Sequence, residues 1–560
     1  LDLLKGDMPG ANDMFAGIDI SWNRVRAPHI GEMVKQAEAA FQHENPAASV
    51  HLLVKIRSGI LQLDDSVWKE RKLAEVDLII EQCMGLFTEV LAEDYWASPG
   101  DSISLDFEVT NRSDQPLVLT SVRFDGTELL ESPSECGHNT PVAWSGRVFL
   151  PKELTYTSPY WLAKEWSEGM YTVDNQKLRG LPENPRELGA TFTFEINGQT
   201  FSIFKPVVYK RTDPVKGEVY RPFEIVPPAF VNLSDDVIIF ADQRERPVEV
   251  RVKSATDHVQ GTLRIAVAEG WTITPEQAEI SLEKKGDEQS VTFHLLPPAE
   301  QQIASINAEL ILDETVVDMS LAEISYDHIP HQTILQPARS KVVKVNLKRA
   351  GDHIGYIMGA GDEVPASLEQ VGYDVDLLNE NQVDLALLQR YDAIILGVRT
   401  YNTSERIRFI QPALFQYVEQ GGTLVTQYNT SRGLQAGSVA PLPLELSRDR
   451  VTDETAKVDV LAPDHPVMHY PNQITAADFD GWVQERGLYF PNQWDEAFTP
   501  VLRMHDPGED PTDGSLLIAP YGKGHFVYTG LSWFRQLPAG VPGAFRLFTN
   551  LISLGQPSRS

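Results

Sequence analysis

The stretch GGTLVTQYNTS, from Gly421 to Ser431, has the layout in which α/β hydrolytic enzymes hold a nucleophile: a helix, a short apolar strand, then a polar turn. At the tip of that turn stand Gln427 and Tyr428. A carboxamide has no thiolate equivalent and forms no acyl intermediate, so covalent chemistry would fall to Tyr428 or Ser431, with His525 of YGKGHFVYTG as base. A single histidine before a strand is more often structural.

Other residues have suggestive spacing. His465 and His469, in APDHPVMHYP, stand four apart, which on a helix would turn both imidazoles toward a metal. Pro463, Pro466 and Pro471 break such a helix, so we read a turn with exposed or hydrogen-bonded histidines and assign no metal ligand. GAGDEVPAS (359–367) fits neither a dinucleotide fingerprint nor a P-loop, and Asp362 and Glu363 would repel phosphate; it reads as a capped strand-to-helix turn. RTYNTSER (399–406) lies just past the carboxyl end of a strand, where open α/β sheets bind ligands, so Arg399, Tyr401 and Asn402 are pocket candidates. DFDGWVQERGLYFPNQW (478–494) gathers Trp482, Glu485, Arg486, Tyr489 and Trp494, a set that lines a sugar subsite, forms an interface or packs a flap equally well. Tyr160, Trp161, Glu165 and Trp166 of PYWLAKEW pose the same choice.

The elements that must position these residues change grammar three times. Residues 1–95 read as three antiparallel helices, over Ile30 to His43, over VHLLVKIRSGILQL, and from about Ser66 to Glu93. From Ser98 the period becomes two, with Ile103, Leu105, Phe107 and Val109 alternating with polar residues. Similar alternation in PVEVRVKS, TLRIAV and SVTFHL predicts two tandem β-sandwiches, over 96–213 and 214–330. From 340 to 560 short apolar strands alternate with helices, the pattern of a parallel sheet covered on both faces; a helix is expected from Ser404 to Gln420, with Gly421 and Gly422 as its stop.

Composition narrows the partners. With 48 basic against 79 acidic residues among 560, the net charge of −31 disfavours nucleic acid and anionic lipid. No run of about 18 apolar residues predicts a membrane span. Cys83 and Cys136 are too few for a disulfide framework or a cysteine-based zinc site. The opening LDLLKGDMPG, without Met or a signal-peptide pattern, leads us to expect a processed or excised chain.

GWTITPEQAEISLEKKGDEQSVTFHLLPP, through Trp271 and Pro275, resembles the Ig-like sandwich modules of bacterial carbohydrate-active enzymes; within it we read Trp271 as a core plug rather than a sugar platform. YDAIILGVRTYN, the helix ending EQGG, TLVTQYN, GKGHFVYTGLSWFRQ and FRLFTNLISL resemble the class I glutamine-amidotransferase-like fold, a flavodoxin-like α/β architecture, in its ThuA-like branch. On that resemblance the amidotransferase nucleophile position falls on Gln427. The whole order, with NDMFAGIDISWNRV, FQHENPAASVHLL, SPYWL, GAGDEVP and GVRTYN, resembles the C-terminal part of large bacterial PIG-L (LmbE-like) deacetylases. The resemblance implies a multidomain α+β protein and a zinc-dependent domain upstream, in which metal-bound water attacks the amide of an N-acetylated sugar with an Asp as base. The His-Pro-Asp-Asp-Glu motif of that domain is absent, so no zinc ligand can be placed on this chain and zinc is expected in the missing domain. Phe15, Ile18, Ile20 and Trp22 would then belong to its last segment or to the seam between domains; otherwise they form a short local cluster over the helices. The expected role is accessory and non-catalytic, with a glycan and the missing deacetylase domain as partners, in the cell envelope or outside the cell. The alternatives are an independent hydrolase using the α/β domain and a carbohydrate-binding scaffold.

Overall fold

The computed structural model describes residues 19–556 apart from 168 and 314. It is a multidomain α+β protein with an N-terminal helical stretch followed by several sheets. Its helices run Pro28–Ala40, Val50–Leu61 and Val67–Met84. Pro28 starts the first, where a missing N–H costs nothing, and Ser66 caps the third by accepting from the Lys69 N–H (3.2 Å). The third helix ends earlier than its periodicity predicts: Gly85 adopts φ +56°, and Phe87–Ala92, rich in residues suited to a pleated surface, leaves as a strand. That strand pairs with Ser102–Thr110, placing Val90 opposite Phe107. Accordingly Ile30, Val54, Ile60 and Ile80 share one hydrophobic core with the sheets that follow.

Two of those sheets have five strands each. One has the order Gly217–Pro222, Val208–Asp213, Phe87–Ala92, Ser102–Thr110, Pro141–Phe149; the other is built on Val118–Phe124, Gly189–Ile196 and Gln199–Pro206. Leu105, Phe107 and Val109 from the first meet Leu119, Phe192 and Phe194 from the second. Next come a four-stranded and a six-stranded sheet around Val250, Phe293 and Trp271. Trp271 is 4% exposed and its indole N–H donates to Gln302 Oε1 (2.6 Å), which is the geometry of a plug. Arg339–Lys344, at the start of the segment read from sequence as α/β, instead pairs with Val237–Phe240 and Gln302–Leu312 in this second pair of sheets.

The last region is a seven-stranded sheet in the order Asp374–Leu377, His353–Ile357, Ala393–Leu396, Thr423–Thr426, Gly524–Thr529, Leu516–Tyr521, Thr499–Pro500. Neighbours are parallel up to Gly524–Thr529 and antiparallel beyond. Period-two side chains divide the strand Ala393–Leu396 between two cores: Ala393 and Ile395 face Phe545, Phe548 and Leu551, while Ile394 and Leu396 face Ile410, Leu414 and Val418. The helix expected over 404–420 runs Ile407–Glu419, preceded by a separate turn Thr400–Thr403.

Between these strands residues 444–504 form two antiparallel ribbons, pairing Leu444–Val451 with Gly487–Trp494 and Val458–Val460 with Leu502–Met504. Buried Asp506 ties them down, accepting from the Thr452 N–H (2.9 Å) and hydroxyl (2.7 Å) and the Asp453 N–H (2.8 Å). Burial alone would raise this carboxyl, yet the hydrogen bonds hold it below its ordinary value. Its contribution is therefore full above about pH 4, the unfolded-chain value, and fades as pH falls through the lower folded value. Asp506→Asn is expected to cost about 1–3 kcal/mol near neutral pH, with a smaller difference in acid; urea denaturation at both pH values measures it.

Candidate functional site

The carboxyl ends of the parallel strands bring four loops together. After His353–Ile357 the chain runs through Gly359, where a Cβ would lie 2.1 Å from the Val398 carbonyl oxygen, so only glycine lets this loop touch the one after Ala393–Leu396. Asp362 then binds both: it accepts from the Tyr356 hydroxyl (2.7 Å), the Val364 N–H (3.1 Å) and the Val398 N–H (3.2 Å). These bonds hold GAGDEVPAS as a strand-to-helix turn, though the helix Val364–Gln370 that follows has no side-chain cap from Glu363, the residue before it.

Gln427 follows the strand Thr423–Thr426 and is 1% exposed. Its Nε2 donates to the Tyr356 oxygen (2.8 Å), and Tyr356 donates onward to Asp362. Burial and the adjoining Asp362 push the Tyr356 phenol well above its usual range, so it stays a neutral donor. Carboxamide, phenol and carboxylate are thus linked in one chain of hydrogen bonds after the strand Thr423–Thr426. Gln427 Oε1 and Thr426 Oγ1 are buried without partners.

Arg399 occupies the left-handed region (φ +60°), and its N–H donates to the Tyr428 carbonyl (2.8 Å). Its Nε is buried without a partner. The Tyr428 ring stacks on Tyr489 at 6.2 Å and 8° and leans on Phe534 at 5.3 Å. Burial pushes the Tyr428 phenol up, and the charges of Arg399, Glu485 and Arg535 act on it. Arg535 closes the patch by pairing with Glu485 (2.7 Å) and donating to Gln484. Arg399, Tyr428 and Glu485 therefore meet, as their places in the sequence allow. Phe534 and Arg535 were not among the sequence candidates, although SWFRQ directly follows the last parallel strand and the same strand-end rule covers it.

Other candidates are committed elsewhere. Tyr401 is fully buried, its hydroxyl accepting from Gln411 (3.1 Å) and its N–H donating to Asn429 (2.8 Å). Asn402 clamps the neighbouring loop, accepting from the Thr430 N–H (2.9 Å) and donating to the Thr430 and Arg432 carbonyls. Trp482 and Arg486 pack inward: the indole donates to the Asp478 carbonyl (3.1 Å), and the guanidinium caps the carbonyls of Ala456 and Phe479. Of PYWLAKEW, Tyr160 spends its hydroxyl on the Leu181 carbonyl, while Trp166 is 62% exposed.

The pairing of His525 with Tyr428 or Ser431 fails on register. His525 lies opposite Thr423, at the amino end of the strand whose carboxyl end leads to Gln427, about 13 Å away at the rise of an extended chain. It sits beside Gly555 with a buried, unpartnered Nδ1, and burial lowers its pKa. His465 caps the turn Pro466–Met468, while His469 bonds Gln473 (3.0 Å). Among the described residues no group of three or more His, Cys, Asp or Glu side chains is placed to hold a metal. No described helix is long and apolar enough to cross a membrane.

A second feature lies on the helices: an apolar groove of about 590 Å³ lined by Ile20, Trp22, Phe41, Leu53, Trp68 and Ile79. Phe15 and Ile18 lie outside the described residues.

Fold and site together define a multidomain α+β protein in which the strand Thr423–Thr426 ends at the buried carboxamide of Gln427. No protein-family model matches the chain and no curated protein matches it. Partial structural likeness exists to native alpha-2-macroglobulin of E. coli, at 9% identity over 48% of this chain and 17% of that one (TM-score 0.17). A family 123 glycoside hydrolase from Clostridium perfringens is similar at 10% identity over 37% of this chain and 38% of its own (TM-score 0.15). A protein of unknown function from Porphyromonas gingivalis is similar at 12% over 46% of this chain and 98% of its own (TM-score 0.12). The chain thus spans a small part of the first of these, and at such TM-scores none defines its fold.

Proposed function

We propose that this chain is an accessory, non-catalytic region of a zinc-dependent N-acetyl-sugar deacetylase, in which two tandem Ig-like β-sandwiches and a degenerate, amidotransferase-like α/β domain position a catalytic domain on glycan. One observation carries the non-catalytic half: the elbow residue is Gln427, bonded to Tyr356 and through it to Asp362, with His525, the base named from the sequence, at the other end of the neighbouring strand. The zinc of this reading belongs to the upstream domain, because no residue here matches its motif. Ile20 lies on the rim of the apolar groove, so the reading seats the upstream connection there. The binding half rests on the strand-end patch, where Tyr428 and Tyr489 offer ring faces and Arg399, Glu485 and Arg535 offer donors and acceptors, the two contact types a saccharide uses.

Arg399→Gly separates binding from folding. Glycine accepts φ +60° without the penalty an L side chain incurs there, so stability should stay within about 1 kcal/mol of wild type. Titration calorimetry with N-acetylglucosamine oligomers should then show weaker binding by the variant. Equal binding by both proteins would remove the patch from the proposal.

A further inference from the structure

We infer that the cleft between the second pair of sheets and the α/β region is a binding site for the oxyanion group of a small solute, a phosphate, sulfate or carboxylate. The cleft has a volume of about 530 Å³ and is lined by Lys344, Lys348, Arg546, Gln301, Asn346 and Gln473, among others. Its lining holds three cations and no carboxylate, in a chain where acids outnumber bases 79 to 48. That inversion is local and built.

Lys344 is the central observation. It is 4% exposed, and its ammonium donates to the carbonyls of Val345 (3.1 Å) and Ala241 (3.4 Å), two of the three donors it owns. Among the described residues it forms no ion pair. Asp242, the acid whose charge reaches it, is paired with Arg244 (2.6 Å). A buried ammonium left without a counter-charge is costly, and an anion in the cleft would supply one.

The surrounding groups are held in place. Asn472 grips the Lys348 backbone from both sides, accepting its N–H (2.9 Å) and donating to its carbonyl (3.0 Å), which fixes where that exposed lysine leaves the chain. Gln301 accepts from the Asn346 N–H (3.3 Å) and from Arg546 Nη1 (2.7 Å). Arg546 is also paired with Asp478 through Nε (2.6 Å), which fixes its guanidinium at the cleft. A guanidinium and two ammonium groups on a preorganised frame are the donors that recognise oxyanions. The volume exceeds that of a bare ion and lies in the range of small-molecule sites, which leaves room for a sugar or other small body behind the anionic group.

Binding would be measured by calorimetry and thermal shift on the full chain at constant ionic strength, using inorganic phosphate, glucose 6-phosphate, glucuronate and, as the neutral reference, glucose. Phosphate or one of the anionic sugars should bind and raise the melting transition, and glucose should not. Lys348→Glu, at an exposed position, should weaken binding by about tenfold or more while leaving the unliganded transition in place; Lys344→Met should abolish it. Preference for glucose 6-phosphate over glucuronate, or the reverse, identifies the anionic group. No binding by any anion, or binding undiminished in Lys348→Glu, would overturn the assignment.

Discussion

Arg486→Ala is expected to destabilise the protein by about 3–5 kcal/mol, whatever it does to ligand binding. The guanidinium is 4% exposed, donates through Nε (3.0 Å) and Nη2 (2.8 Å) to the Ala456 carbonyl and through Nη1 (2.5 Å) to that of Phe479, and lies 5.5 Å over the Trp482 ring. Burial lowers its pKa, but arginine remains charged at any working pH. Alanine would strand two carbonyls that the fold has turned away from water and leave a cavity against Trp482, and each effect costs energy. Urea denaturation reads the loss. Unchanged stability with abolished saccharide binding would instead return Arg486 to the role of a sugar ligand.

Gly543→Ala should be nearly as damaging, against the direction of helix propensity. Gly543 lies in the helix Pro542–Ile552, where alanine is ordinarily favoured by about 1 kcal/mol. Here a Cβ would lie 1.9 Å from the carbonyl oxygen of Asp478 and 2.3 Å from its Cα. Asp478 cannot yield, since it closes a capping box with Thr475 and pairs with Arg546 (2.6 Å). The helix must shift, at about 3 kcal/mol, the upper end of an ordinary overpacking cost, and the Arg546 side of the cationic cleft shifts with it. Gly437→Ala, with nothing within 4 Å of its Cβ, is the control and should be close to neutral. Thermal unfolding of the two variants side by side compares them.

Sequence periodicity located the elements well where one face is buried. The alternation at Leu105, Phe107 and Val109 marks residues that do face a core, and the switch to strand–helix alternation marks the parallel sheet. It failed where two periods overlap: Leu86 and Val90 continue the helical spacing of the third helix, and only the backbone turn at Gly85 ends it. It failed again at Arg339–Lys344, a strand whose partners, Val237–Phe240 and Gln302–Leu312, lie far away in the chain.

The site was legible to the same degree. The strand-end rule points to the loop 399–402, but which side chains turn outward depends on the fold: Arg399 joins the patch, whereas Tyr401 enters the core and Asn402 bonds the next loop. Trp482, Glu485 and Arg486 are neighbours in sequence, yet only Glu485 reaches Arg535. The cationic cleft left no trace, because Gln301, Lys344, Asn472 and Arg546 come from four separate segments.

The central claim, that this chain supports a deacetylase without being one, is tested most directly by acetate release from N-acetylglucosamine oligomers in the presence of zinc. The chain alone would be compared with the same chain extended upstream through a domain carrying the His-Pro-Asp-Asp-Glu motif. The account predicts acetate from the extended protein and none from residues 1–560. Acetate released by residues 1–560 alone would contradict it and turn the search for the reacting groups back to His465, His469 and His525.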